Sequence, residues 1–209
     1  MLDAVHRKFR RVFSKDLTAG YNGHFGPHKC QLNWASDQMP EARKIPIANY
    51  NHKLKSVMQE VCDELTTQGV MKIPQEHSIK VQSVCPSFLR RKRRAKDKPM
   101  HLLTKNDCRL VVNFNPINKH IKNIPSEMTK VSDIFSQLGR CKHWIVLNLY
   151  NAFYQNHIDD KDQQWLDIMT PFSGLRVLAR SGQGLLGQSS LEERHRWKLH
   201  KTIFGYYRK

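Results

Sequence analysis

The sequence is poor in acidic residues. It has 18 Asp and Glu against 35 Lys and Arg among 209 residues, which gives a formal net charge of +17 at pH 7. A surplus of this size disfavours self-association and attracts polyanions, of which nucleic acid is the simplest. A basic solvated surface, or a basic tail, is the alternative interpretation of the same surplus.

The sequence also lacks long hydrophobic runs and paired cysteines. No apolar stretch approaches the roughly 18 residues that a membrane span needs, and no signal-peptide pattern opens the chain. The five cysteines are scattered singly, which argues against a disulfide framework or a CxxC metal site and fits a reducing compartment. His24, His28 and Cys30 match the spacing of no common zinc site. We therefore expect a soluble intracellular protein, cytoplasmic or nuclear, without a membrane partner.

Helical periodicity is clear in two segments. The first predicted helix spans about Asn51–Gln68 and ends at Gly69, and the second spans about Val131–Leu138 and ends at Gly139. The side chains predicted to face inward are Leu54, Val57, Met58, Val61, Cys62 and Leu65 on the first helix, and Val131, Ile134, Phe135 and Leu138 on the second.

Strand-like runs flank a dense basic segment. Val81–Leu89, interrupted by Pro86, and Arg109–Phe114 are both strand candidates, and pairing them makes a hairpin with the basic segment on its loop. The basic residues are Arg90, Arg91, Lys92, Arg93, Arg94, Lys96 and Lys98. Such a segment is either a solvated loop or a nucleic-acid-binding one. A further strand is predicted at Trp165–Thr170, and the mixture of helices and strands predicts an α/β or α+β fold.

Asn148 lies at the most informative position of the chain. An apolar strand-like run, Trp144–Leu147, delivers this single polar side chain, and a turn then leads to Ala152 and Phe153. The segment resembles the first catalytic motif of reverse transcriptases, in which an aspartate occupies the position of Asn148.

Three further segments strengthen that resemblance, because they follow one another in the family's order. Asp63–Pro74 resembles the helix and turn that open the fingers subdomain. Cys108–Lys122 resembles a fingers strand, with Asn113 in place of its acidic residue and Asn115 in place of its second arginine. Thr170–Ser189 resembles the family's Thr-Pro-Phe-Gly strand, which is followed by a motif that contains a Gln-Gly or Phe-Gly pair, here Gln183 and Gly184. The resemblance covers about residues 40–190 and is nearest to the gypsy-like group of long-terminal-repeat retrotransposons.

The resemblance implies an α+β fold with the fingers and a partial palm of a right-hand polymerase. Residues 51–142 would be fingers-like and residues 143–190 palm-like. Residues 1–50 would be an irregular basic N-terminal extension, and residues 191–209 a basic tail unrelated to the family pattern. The chain would then be a truncated fragment of a longer polymerase domain.

The resemblance also implies roles for individual residues. Arg109 would contact the triphosphate of the incoming deoxynucleotide, and Lys92 of the fingers loop would do similar work. Phe153 would lie beneath the sugar, and Gln183 and Gly184 near the nucleotide and template. The fingers-loop residues Arg90, Arg91, Arg93 and Arg94 would hold the phosphates of an RNA/DNA template-primer.

Catalysis is expected to be lost in this chain. The reaction that the family performs is template-directed addition of deoxynucleotides to a primer 3′-end, and it uses carboxylates to hold two Mg²⁺ ions roughly 3.5–4 Å apart. Asn148 offers only a neutral carbonyl to such a hard cation, and no adjacent aspartate pair follows position 160. Asp159, Asp160 and Asp162 are predicted to lie on a solvent-facing loop. The alternatives are a non-catalytic, sequence-nonspecific nucleic-acid-binding protein and a non-functional retroelement remnant.

Overall fold

The computed structural model describes residues 3–4, 7, 29–35, 39–40, 50–122, 130–139 and 151–186. The described helices are α1 (His52–Thr67), α2 (Asn115–Asn118), α3 (Val131–Leu138) and α4 (Asp160–Gln163). The described strands are β1 (Lys29–Cys30), β2 (Met71–Lys72), β3 (Val84–Cys85), β4 (Ser87–Arg91), β5 (Cys108–Val112), β6 (His157–Ile158), β7 (Asp167–Thr170) and β8 (Gly174–Leu178). None of the described helices is long and apolar enough to cross a membrane. The mixed helix and strand composition confirms the predicted class.

Local sequence explains where α1 begins and ends. The Asn51 side chain accepts a hydrogen bond from the Leu54 backbone N–H at 3.0 Å, which caps the first turn. At the other end, Gly69 has φ +66°, and the Val70 N–H reaches back to the Leu65 carbonyl at 2.9 Å. This Schellman-type ending requires a left-handed residue, which glycine supplies without a Cβ clash. The predicted helix and its terminator are therefore confirmed.

The apolar stripe of α1 packs on a four-stranded sheet in the order β2-β8-β7-β3. Strand β8 is antiparallel to both neighbours, whereas β3 and β7 are parallel. Buried side chains from α1, the sheet and α2 form one core cluster, whose largest members include Met58, Met71, Ile117, Ile158, Leu166, Ile168 and Leu178. Each of these stabilises the fold by roughly 1.5–3 kcal/mol relative to an exposed side chain.

Strands β4 and β5 form the predicted antiparallel hairpin. Leu89 pairs with Leu110, and the Leu89 N–H donates to the Tyr50 hydroxyl at 3.1 Å. The hairpin is thereby attached to the segment that precedes α1. The basic segment lies partly on β4, through Arg90 and Arg91, and otherwise on the long connection to β5.

Part of the segment predicted as an irregular extension is ordered against the rest of the chain. Strand β1 pairs in parallel with β6, and the buried Leu32 donates its backbone N–H to the Asp162 carboxylate at 2.8 Å. Asp162 is only 3 % exposed, so the prediction that it lies on a solvent-facing loop is wrong. The reason is a contact across 130 positions of sequence, which no local pattern encodes. Burial raises the pKa of this carboxyl above its ordinary value.

Helix α3 lies where it was predicted, but three of its four apolar side chains are exposed, and the fourth, Leu138, is half-buried. Val131 is 63 % exposed, Ile134 is 44 % exposed and Phe135 is 67 % exposed. Helical spacing predicts that apolar residues share a face, but it does not predict what covers that face. The prediction that these three side chains point into the core is therefore wrong.

Candidate functional site

The β4–β5 hairpin places two arginines side by side. Its register sets Arg90 opposite Arg109, and both side chains are exposed on the face that alternates with the half-buried Leu89 and Leu110. Neither guanidinium forms an ion pair with a carboxylate in the part of the chain that the structure describes. Two adjacent, permanently charged groups without an internal counter-charge are suited to bind a polyanion.

The connection between β4 and β5 is braced by its own polar side chains. The Arg91 guanidinium donates to the carbonyls of Lys96 and Lys98, at 3.3 and 3.0 Å. Lys98 Nζ lies 2.6 Å from the Asp107 carboxylate, which also accepts hydrogen bonds from Thr104. These bonds, first that from Lys98 and then those from Thr104, lower the pKa of Asp107 to about 2. The loop therefore holds a defined shape at neutral pH.

A concave surface on this hairpin is lined by cationic residues alone. It encloses about 410 Å³, and the residues around it are Arg90, Arg91, Lys92, Arg93, Lys96 and Arg109. Arg94 stands apart, and its guanidinium donates to the Asn106 carbonyl at 2.9 Å. Of the four arginines predicted to hold nucleic-acid phosphates, three therefore share this surface and Arg94 braces the loop.

A short 3₁₀ helix, Ala152–Gln155, positions Phe153. The turn before it places Asn151 at φ +45°, a left-handed conformation that asparagine tolerates better than most residues. The Phe153 carbonyl accepts a hydrogen bond from the Ser181 hydroxyl at 3.0 Å, and the Ser181 N–H donates to the Asn156 carbonyl at 2.9 Å. The backbone that carries Phe153 is thus fixed against the segment that follows β8.

That segment contains the predicted Gln183 and Gly184, both of them exposed. Gly184 has φ +96°, where a side chain would be strained. Gly182 is required for a different reason, because a Cβ there would lie 2.7 Å from Cζ of the buried Phe114 ring. The close approach of backbone to ring brings the Gln183–Gly184 turn against the end of the hairpin.

The hairpin and this turn enclose one cleft of about 890 Å³. All five residues predicted to contact a nucleotide line it, namely Lys92, Arg109, Phe153, Gln183 and Gly184, and Arg90 lines it as well. The five predicted residues are separated by up to 92 positions in sequence. Their convergence is a geometric finding, and the roles assigned to them remain predictions.

Two of the charged residues that line the cleft were not predicted from sequence. Glu64 of α1 and Lys105 of the hairpin connection both line it, and Lys105 Nζ lies 3.0 Å from the Glu64 carboxylate. Their ion pair joins the hairpin to α1. The sequence offered one indication of this pair, the position of Glu64 on α1 one residue before the buried Leu65. That position does not identify Lys105, 41 residues away, as the partner of Glu64.

The described residues do not fit a magnesium site. No group of three or more His, Cys, Asp or Glu in the described ranges is placed to hold a metal ion. Glu64, the acidic residue among those that line the cleft, is paired with Lys105. Asp159 caps α4, Asp160 pairs with Lys29, and Asp162 accepts from Leu32, so these carboxylates do not converge on one point. Asn148 lies outside the described residues.

Comparison with solved structures identifies the fold. The chain is similar to the prototype foamy virus protease-reverse transcriptase, with 21 % sequence identity and a TM-score of 0.67 over 97 % of this chain. It is also similar to the foamy viral protease-reverse transcriptase solved with an RNA/DNA hybrid, at 20 % identity and a TM-score of 0.66 over 97 % of this chain. A further similar structure is the dRH form of that protein with double-stranded DNA, at 18 % identity and a TM-score of 0.60.

The chain therefore has a reverse-transcriptase-like fold. It spans about a quarter of the length of the first two of these proteins and about a third of the third. No protein-family model matches the sequence, and a search of characterised proteins gives no match.

Proposed function

We propose that the chain is the fingers and the first part of the palm of a reverse transcriptase from a gypsy-like long-terminal-repeat retrotransposon. Its cleft binds a deoxynucleoside triphosphate, and its hairpin holds the phosphates of an RNA/DNA template-primer. One observation supports this above all: the five residues that the sequence resemblance names as nucleotide contacts line one cleft together. The similar foamy viral proteins were solved with an RNA/DNA hybrid and with double-stranded DNA, which agrees with the same class of ligand.

The two walls of the cleft suit different parts of a nucleotide. Arg90, Lys92 and Arg109 form a cationic wall, where planar guanidinium groups make bidentate contacts with phosphate oxygens. Phe153 lines the same cleft on the 3₁₀ helix that Ser181 fixes beside the Gln183–Gly184 turn, and it offers an aromatic face to the sugar. The exposed backbone at Gly184 lets a base or template approach closely, since no Cβ intervenes.

The cationic surface on the hairpin suits the backbone of the template-primer. Contacts of this kind do not depend on base sequence, and they weaken as salt increases. For each phosphate that the protein neutralises, log K falls by about 0.7–0.9 per tenfold increase in salt concentration. The braced loop supports such contacts, because Arg91 and Lys98 fix its backbone before any ligand arrives.

The proposed protein binds its ligands but does not catalyse nucleotide addition, because of a substitution in its sequence. Asparagine stands at position 148, where the resembling motif has an aspartate that holds Mg²⁺. The described carboxylates do not converge to replace it. The residues of this chain therefore bind and orient a nucleotide and a template-primer without activating the primer hydroxyl.

Primer extension tests the loss of catalysis. The full chain and Asn148→Asp are each given an RNA template, a DNA primer and deoxynucleotides with Mg²⁺ or Mn²⁺, and binding of the same template-primer is measured in parallel. We expect retained binding and no extension by the unaltered chain. Extension by the unaltered chain would contradict the proposal. Extension by Asn148→Asp alone would assign the whole loss to this position.

A second candidate function is supported by the hairpin surface, whose lining residues are all cationic. A non-catalytic protein that binds nucleic acid without sequence preference needs that surface but has no need of the nucleotide cleft. Deoxynucleoside triphosphate binding distinguishes the two, because Phe153→Ala should weaken it only under the first proposal. A third alternative, a remnant without function, predicts a chain that binds ANS and shows no cooperative melting transition.

A further inference from the structure

Asn118 joins the two walls of the cleft. Its side-chain N–H donates to the Gly184 carbonyl at 2.8 Å, and its side-chain oxygen accepts from the Leu186 N–H at 3.0 Å. One carboxamide thus satisfies a carbonyl and an N–H two residues apart, as a neighbouring backbone strand would. We infer that Asn118 is a positioning residue that holds the Gln183–Gly184 turn in the geometry the nucleotide cleft requires. The effect on ligand affinity rests on the proposed function, whereas the hold on the turn does not.

The rest of the turn is anchored elsewhere, which isolates the part that depends on Asn118. Ser181 is tied to the segment that carries Phe153, and Leu185 is buried in the core at 4 % exposure. Gly184 and Leu186 lie on either side of Leu185 and are exposed. In the described part of the chain, the Gly184 carbonyl accepts its hydrogen bond from the Asn118 side chain, and the Leu186 N–H donates to the same side chain.

Asn118 is itself rigidly connected to the cationic wall. It ends α2, where its N–H donates to the Phe114 carbonyl at 2.7 Å, and α2 follows directly on β5, the strand of Arg109. The Phe114 ring packs against Gly182 at the start of the same turn. Two contacts of different kinds, ring packing and an amide pair, therefore fix the distance between Arg109 and Gln183.

The chemistry of this position requires a side chain that donates and accepts at once. An amide does both, and the hydrogen bonds determine its orientation. If its nitrogen and oxygen were exchanged, the side-chain oxygen would face the Gly184 carbonyl and the side-chain N–H would face the Leu186 N–H. Aspartate has nearly the same shape and keeps the acceptor for Leu186, but it sets a carboxylate against the Gly184 carbonyl. Alanine loses both hydrogen bonds.

The chain offers a matched control outside the cleft. Gln59 of α1 is also a carboxamide that joins two elements: its N–H donates to Asp63 and to the Ser173 hydroxyl, and its oxygen accepts from the Phe172 N–H at 3.3 Å. Gln59 does not line the cleft. Gln59→Ala should therefore resemble Asn118→Ala in its general effect on the fold and differ from it at the turn.

Amide hydrogen exchange on the full chain tests the inference. We expect Asn118→Ala to accelerate exchange at Leu186 roughly two- to tenfold, the loss of about one hydrogen bond, and Asn118→Asp to accelerate it less. Gln59→Ala should accelerate exchange at Phe172 and leave Leu186 unchanged. The affinity for a deoxynucleoside triphosphate, added alone as the probe, should fall in both Asn118 variants and remain the same in Gln59→Ala.

The outcomes separate this inference from the proposed function. Unchanged exchange at Leu186 in both Asn118 variants, or equal acceleration in Gln59→Ala, would overturn the inference. Faster exchange with unaltered affinity would overturn the positioning role. If the unaltered chain binds no triphosphate, the proposed function fails and the exchange data alone decide whether Asn118 holds the turn. Should Asn118→Ala not fold, the nearly isosteric Asn118→Asp provides the same comparison.

Discussion

At the residue scale, Asp167 has the most unfavourable surroundings of the described side chains. It lies in β7 between Val84 of β3 and Val177 of β8 and is fully buried. Neither carboxyl oxygen has a hydrogen-bond partner in the described part of the chain. Burial raises its pKa from the ordinary 3.8 to about 8. Burial of the Cys85 thiol, followed by the nearby Asp167 carboxyl group, raises the pKa of Cys85 to about 12.

Removing the Asp167 carboxyl should stabilise the protein at neutral and alkaline pH. The unfolded chain releases this proton near pH 4, whereas the folded chain holds it to about pH 8. The contribution of Asp167 to stability is therefore least unfavourable below pH 4 and worsens as pH rises towards 8. We expect Asp167→Ala to raise the free energy of unfolding by about 1–3 kcal/mol at pH 8, and by less at pH 4. Urea unfolding at pH 4 and pH 8 measures this change in the free energy of unfolding, with the exposed Asp97→Ala as the control. An Asp167→Ala effect of the same size at both pH values would contradict the prediction.

Gly182 should be intolerant of a side chain. A Cβ at this position lies 2.7 Å from Phe114 Cζ and 2.9 Å from Cε2, so the buried ring must move. We expect Gly182→Ala to reduce the free energy of unfolding by roughly 1–3 kcal/mol, as overpacking of a core does. Gly139→Ala is the control, because the nearest atom there is 3.5 Å away. Thermal unfolding compares the two, and equal melting temperatures would show that the Phe114 contact is not tight.

At the scale of elements, the hairpin should account for the salt dependence of nucleic-acid binding. Arg90 and Arg109 are adjacent, exposed and not paired with a described carboxylate. We expect the double substitution Arg90→Gln and Arg109→Gln to reduce the slope of log K against log salt by about 1.4–1.8. Lys161→Gln, an exposed cation on α4, should leave the slope unchanged. Titration of a labelled RNA/DNA duplex at several salt concentrations measures this slope. An unaltered slope in the double variant would exclude this surface as the binding site for nucleic-acid phosphates.

The elements that sequence predicted well are those whose determinants are local. The ends of α1 depend on Asn51 and Gly69, and the hairpin depends on two β-rich runs around a basic segment. The convergence of Lys92, Arg109, Phe153, Gln183 and Gly184 could be expected only through the family resemblance. Contacts between distant residues were missed, as between Leu32 and Asp162 or between Lys105 and Glu64. The exposure of Phe135 was missed for the same reason, because the spacing of apolar residues on a helix does not show which element, if any, packs against them.

At the scale of the whole molecule, one core cluster joins α1, α2 and the four-stranded sheet. A shared core predicts a single cooperative unfolding transition. We expect Met58→Ala, which removes a side chain that is 2 % exposed, to lower the free energy of unfolding by about 2–5 kcal/mol without splitting that transition. Calorimetry with Met100→Ala as the exposed control measures this. A chain that binds ANS and melts without a transition would instead support the remnant hypothesis.

We propose that this chain keeps a polymerase-type nucleotide cleft, although asparagine stands at position 148 where the resembling motif has a metal-binding aspartate. The most direct test is equilibrium titration of a deoxynucleoside triphosphate into the full chain bound to an RNA/DNA template-primer, for the unaltered protein, Arg109→Ala and Lys161→Ala. Our account predicts saturable binding that Arg109→Ala weakens at least tenfold, as the loss of a charge-assisted contact should, and that Lys161→Ala does not change. No saturable binding, or equal affinity in the Arg109 variant, would contradict it.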